Sequence, residues 1–189
     1  VKTTLFQKGQ MNNFIKEFLG EKPEKADIVT ILSVTALLTA VIAFKNLPEL
    51  SNIPIWKSIL FLIIVSDIFA GAIANFTKST QQYYANNTKK RIMFLFMHIV
   101  HIGLIYLSVG NLLFCLSILT YALLGSFVVN FSKTLNQQEI NASIVATIGC
   151  VLFYVIFPTP QILLWLPAVI FIKLVFGFSI QRESSSTDI

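Results

Sequence analysis

Charge is what this 189-residue sequence has least of. Asp, Glu, Lys and Arg make up 12 % of it, against 55 % hydrophobic residues and a mean hydropathy of +0.74. Soluble domains carry roughly 25 % charged residues, and a water-soluble fold of this size leaves too many residues at its surface to hide so apolar a chain. A water-soluble domain is thereby excluded and an integral membrane protein expected. Cysteine is almost as scarce. Cys115 and Cys150 both fall in apolar segments, so no disulfide framework, CxxC site or metal-ligand spacing is indicated, and both read as small packing residues. The chain also has no Gly-rich phosphate loop, no serine nucleophile elbow and no HExxH helix, and the chemistries those motifs carry are not indicated.

What charge there is has a pattern. The net charge is +5, but the basic residues are clustered by topology rather than spread over a nucleic-acid face. Lys2, Lys8, Lys16, Lys22 and Lys25 precede the first apolar segment, and Lys78, Lys89, Lys90 and Arg91 share one loop. With Lys133 and Arg182 they place eleven basic residues on one side of the membrane, against Lys45 and Lys57 on the other. That asymmetry orients helices in a bilayer. Both termini are expected in the cytoplasm of a cell whose plasma membrane holds the chain. The Lys-, Asn- and Ile-heavy composition points to an AT-rich bacterial genome. No cleavable signal peptide is expected, because 27 polar or mixed residues precede the first apolar run, which then acts as an uncleaved signal-anchor.

A spanning helix needs about 20 mostly apolar residues. Charges and turn residues divide the chain into an all-α bundle of six transmembrane helices, at about 28–44, 55–77, 92–109, 112–131, 142–157 and 161–180. Residues 92–132 contain no Asp, Glu, Lys or Arg, too long a run for one span, and Gly110-Asn111 splits it. Pro158-Thr159-Pro160 forces the last break, because proline removes a donor and restricts its predecessor. Residues 1–27 are read as a cytoplasmic segment. In it Phe14, Ile15 and Phe18 beside Lys16 and Lys22 mark either a short amphipathic helix on the inner leaflet or a basic anchor. The polar tail 181–189 is expected to be disordered. Ala36 and Ala40 in the first span read as a helix-packing pair.

Against that apolar background four ionisable residues stand inside the spans: Asp67, His98, His101 and Lys173. Such groups are rare at membrane depth, costly, and usually turned into the bundle. At about 1.5 Å per residue from the inner boundary, Asp67 lies roughly 16 Å deep, His101 15 Å, Lys173 13 Å and His98 10 Å, so residues from the second, third and sixth spans share one slab. Asp67, Ala70, Gly71, Ala74 and Asn75 form one stripe of the second span. Its small residues admit a close neighbour, with the third helix the natural candidate, and Asn75 joins the intramembrane polar site. His98 and His101 lie about 60° apart on one helix face.

These residues leave several chemistries open. Asp67 and Lys173 form a buried ion pair while the histidines join helices by hydrogen bonds, or Lys173 snorkels to the headgroups and frees Asp67. Asp and His chains relay protons in pumps and transporters, so ion- or proton-linked transport of a small solute is the preferred expectation. Alternatively Asp67, His98 and His101 bind a catalytic zinc with an open position for water, and a metal-dependent hydrolase acts on a lipid substrate. A third possibility is a structural subunit that binds a partner membrane subunit. The bilayer itself is the expected partner throughout, and nucleic acid is not.

Ala36-x-x-x-Ala40 in the first of six spans faintly resembles the substrate-capture subunits of energy-coupling-factor vitamin transporters, which place substrate near the outside. Ser66-Asp67 with His98 and His101 resembles the membrane hydrolase superfamily that contains alkaline ceramidases. That superfamily has seven spans and an HxxxH pair in a late helix, against six spans and HxxH in an early helix here. Each resemblance covers scattered residues only.

Overall fold

The computed structural model describes residues 16, 18–85 and 88–181. Those residues are all-helical, with no strand among them, and contain six helices long and apolar enough to cross a membrane: Lys25–Lys45, Ile55–Ala74, Lys89–Val109, Leu112–Asn130, Leu135–Ile156 and Gln161–Phe178. The expected tail lies outside the described residues except for Gln181. Phe14 and Ile15 of the expected amphipathic helix also lie outside them.

Local chemistry explains the breaks. Gly110 and Asn111 take positive φ values of 79° and 63°, a region open to Gly and tolerated by Asn. From there the Asn111 side chain caps the next helix by accepting from the Phe114 amide at 3.1 Å. Thr134 caps the fifth helix by accepting from the Gln137 amide at 3.2 Å. That cap starts the helix at Leu135, seven residues before the expected 142, because Asn, Gln and Glu sit comfortably in a helix that runs past the apolar layer. Two segments expected as loops also contain helix, Leu47–Ser51 with Pro48 in its first turn, and Lys78–Ala85. The second span accordingly ends at Ala74 rather than 77.

The sixth span is the hub. It packs on the second, fourth and fifth, while the first leans chiefly on the second. Of their most apolar stretches, 61 % of the sixth is buried inside the protein against 11 % of the first. Phe61, Phe114, Phe153, Phe171, Ile105 and Leu163 form the centre of the core. The faces of Leu32, Phe44, Leu113 and Val155 turned outward are as apolar as the core. Ala36 and Ala40 are both exposed, and Ala40 lines an open groove with Ile59 and Leu62 of the second span, so the pair is not buried in a helix interface as expected. The sixth span is not a uniform α-helix: Phe171–Phe178 is π-helical, a form that recurs at functional sites.

Residues 18–22 fold back onto the end of the bundle where the second span ends. Phe18 and Leu19 pack against Ile31, Ala70 and Ala74. The Lys22 amide donates to Ser79 Oγ at 3.0 Å, and Thr80 Oγ1 to the Phe18 carbonyl at 3.3 Å. Gly20 is buried against the Ser79 backbone with φ +79°, a place and a conformation that only glycine suits.

Candidate functional site

Three spans deliver the ionisable residues to one point. Asp67 Oδ2 lies 2.6 Å from His101 Nε2 and 3.5 Å from Lys173 Nζ, and Lys173 Nζ is 3.4 Å from the Asp67 carbonyl. The His98 and His101 rings stack at 5.0 Å with 28° between planes. Asn75 donates to the Lys173 carbonyl at 2.9 Å, taking an acceptor in the π-helical stretch. Asp67, His98, His101, Lys173 and Asn75, singled out from the sequence, thus form one connected group.

Gly71 makes room for the lysine. A Cβ built there would lie 2.5 Å from Lys173 Cε and 2.6 Å from Nζ. The expectation that the stripe of small residues faces the third helix is therefore corrected: Gly71 faces the sixth span, and Ala70 and Ala74 face Ile31, Phe18 and Leu19. A Gly71→Ala protein should be less stable, by about 1–3 kcal/mol of overpacking less the roughly 1 kcal/mol of helix propensity that alanine adds. Thermal unfolding in detergent checks this; an unchanged or raised Tm would mean that the amine does not occupy the notch.

Backbone partners assign the protons. His101 Nδ1 lies 2.9 Å from the Met97 carbonyl and His98 Nδ1 3.0 Å from the Phe94 carbonyl. A carbonyl only accepts, so each Nδ1 carries a hydrogen. His101 Nε2 and Asp67 Oδ2 are then a nitrogen and an oxygen at 2.6 Å, a separation that places one proton between two lone pairs that would otherwise repel. As imidazolium with carboxylate or imidazole with carboxylic acid, the pair is neutral overall. His98 differs. It is 1 % exposed, and its Nε2 has no hydrogen-bond partner among the described residues, leaving a bare acceptor in a dry place, an arrangement that costs free energy.

Exposure of the side chains falls from Asp67 at 33 % to His101 at 18 % and Lys173 at 3 %. The carboxylate and the imidazole keep part of their surface exposed where the second and third spans pack together, and the amine is buried. The zinc alternative fares differently from the polar site. Among the described residues no group of three or more His, Cys, Asp or Glu is placed to hold a metal, because Asp67 and His101 spend their inward atoms on each other and Lys173 adjoins the same oxygen.

By sequence Arg91 is one of the loop cations that orient the chain, and nothing in its neighbours there marks it as internal. It is buried, 6 % exposed. Its Nη2 donates to Asn130 Oδ1 at 3.0 Å and to the carbonyls of Phe178 and Ser179 at 3.1 and 3.2 Å. These are last-turn carbonyls that helix geometry leaves without partners, at the negative end of the helix dipole.

The chain matches no protein-family model, no curated protein and no solved structure.

Proposed function

We propose that this chain is a multipass protein of the plasma membrane, with both termini in the cytoplasm, that moves a small solute in company with a proton. The single observation that carries the reading is the 2.6 Å contact between Asp67 Oδ2 and His101 Nε2, made beside a buried amine and by two side chains that keep part of their surface exposed. Protonation of a carboxylate against an ammonium alters both the charge and the packing of the centre, and a change of that kind couples proton binding to a shift of helices. The orientation follows from the basic residues, which are concentrated at one end of the bundle. Asp67 is the exchanging group, His101 its proton partner, Lys173 the fixed cation, and Asn75 holds the backbone that carries the lysine.

The test is proton movement. The full chain is reconstituted in liposomes containing a pH-sensitive dye, and solutes are added outside under an imposed potential. The expected outcome is lumenal acidification that depends on solute, with Asp67→Asn reduced to the protein-free background. Normal acidification by the Asp67→Asn protein would overturn the assignment. Inertness of both proteins, with the variant merely less stable, would leave Asp67 a structural ion-pair partner in a subunit without its own transport activity.

A further inference from the structure

In the protonation state that the 2.6 Å contact favours, with one proton held between Asp67 and His101, an ammonium at Lys173 has no full counter-charge in the centre. Among the described residues, Lys173 pairs with this one carboxylate, at the long distance of 3.5 Å. The second contact of Nζ, to the Asp67 carbonyl, is also long at 3.4 Å. An ammonium has three hydrogens to place, and a charge taken from water into a medium of low dielectric demands a close counter-charge. Arg91 is held by neutral carbonyl and amide oxygens and brings no anion into the bundle. Lys173 is therefore both under-coordinated and under-neutralised.

We infer that the centre binds a small monovalent anion, such as a halide, nitrate or a short monocarboxylate, against Lys173 Nζ, entering where Asp67 and His101 are exposed. The unpartnered Nε2 of His98 supplies the second half of the site. As a bare acceptor it repels an anion; when its lone pair takes a proton from water, it becomes a donor and a second positive charge, and hydroxide is the only by-product. Anion and proton then favour each other's binding, and the titratable groups in play are Asp67, His98, His101 and Lys173. The coupling rests on the proton-linked reading above. The anion site itself rests on Lys173 and stands without it.

Thermal unfolding of the full chain in detergent at fixed ionic strength, in sodium gluconate exchanged for chloride, nitrate or pyruvate, tests the site. Ammonium and choline chloride compared with sodium chloride serve as the cation series. The expected result is a saturable rise in Tm of about 5 °C with at least one small anion over gluconate, absent in Lys173→Gln. Equal Tm in gluconate and in all three small anions overturns the inference even if Lys173→Gln does not fold, as does an equal anion response in both proteins or a response to cations alone. In the dye-loaded liposomes, anion-driven acidification supports the coupling. Anion stabilisation without proton movement by any solute keeps the site and removes the proton-linked reading. Acidification driven by cations or neutral solutes, with no anion effect, does the reverse.

Discussion

Arg91→Ala is expected to lose about 4 kcal/mol of stability, a fall in Tm of roughly 10 °C for a chain of this size. One nitrogen of this side chain serves Asn130 Oδ1 and the carbonyls of Phe178 and Ser179, and its guanidinium lies 5.6 Å from the centre of the Phe178 ring. Truncation leaves the Phe178 and Ser179 carbonyls without this donor where water is scarce, each costing about 1–3 kcal/mol, while Asn130 Oδ1 keeps Gln181 Nε2 at 3.3 Å; it also removes the group that ties the end of the sixth span to the third and fourth. Lysine keeps the charge but not the planar fork, so Arg91→Lys should recover less than half of the loss. Melting curves of the three proteins in one detergent decide the matter. An alanine variant within about 1 kcal/mol of the parent would mean that the clamp contributes little to folding.

Asp67→Ala should cost about 3–5 kcal/mol, because it strands a buried ammonium and an imidazole without their acceptor. The double variant Asp67→Ala/Lys173→Met removes the orphan charge as well and should regain much of that loss. A coupling energy of about 2 kcal/mol is expected for groups in direct contact. Denaturant or thermal unfolding of the parent, both single variants and the double variant closes the cycle. Strict additivity would show that the 3.5 Å approach of Nζ to Oδ2 carries no energetic weight, and would remove Lys173 from the centre.

Much of this architecture was legible in the residues themselves. The scarcity of charge, the six apolar runs, the break at Gly110-Asn111 and the one after Phe157 all recur in the folded chain. Each is a property of a short stretch: its transfer cost, or the φ its residues tolerate. That Asp67, His98, His101 and Lys173 stand at one level of the bundle was readable too, because helix rise is constant. The starts and ends of the spans were less so. Capping by Thr134 lengthens the fifth helix through polar residues that hydropathy assigns to a loop.

Contacts between distant residues were not legible. Lipid is as apolar as leucine, so hydropathy does not tell an outward face from an inward one. Ala36 and Ala40 look like a packing pair and are exposed, while Arg91 looks like a loop cation and is buried. Gly71 is a small residue in any reading; that its missing side chain houses the amine of Lys173, 102 positions on, depends on the sixth span lying at the centre of the bundle. Composition and periodicity determined that the chain is a set of apolar rods with four costly residues at one level, since those are properties of individual residues and of single helices. Tertiary structure alone decided which rods touch, that Asp67 and His101 meet at 2.6 Å, and that Lys173 lies against the same carboxylate, because neighbours are chosen by shape and charge across spans and no local stretch encodes its own neighbour.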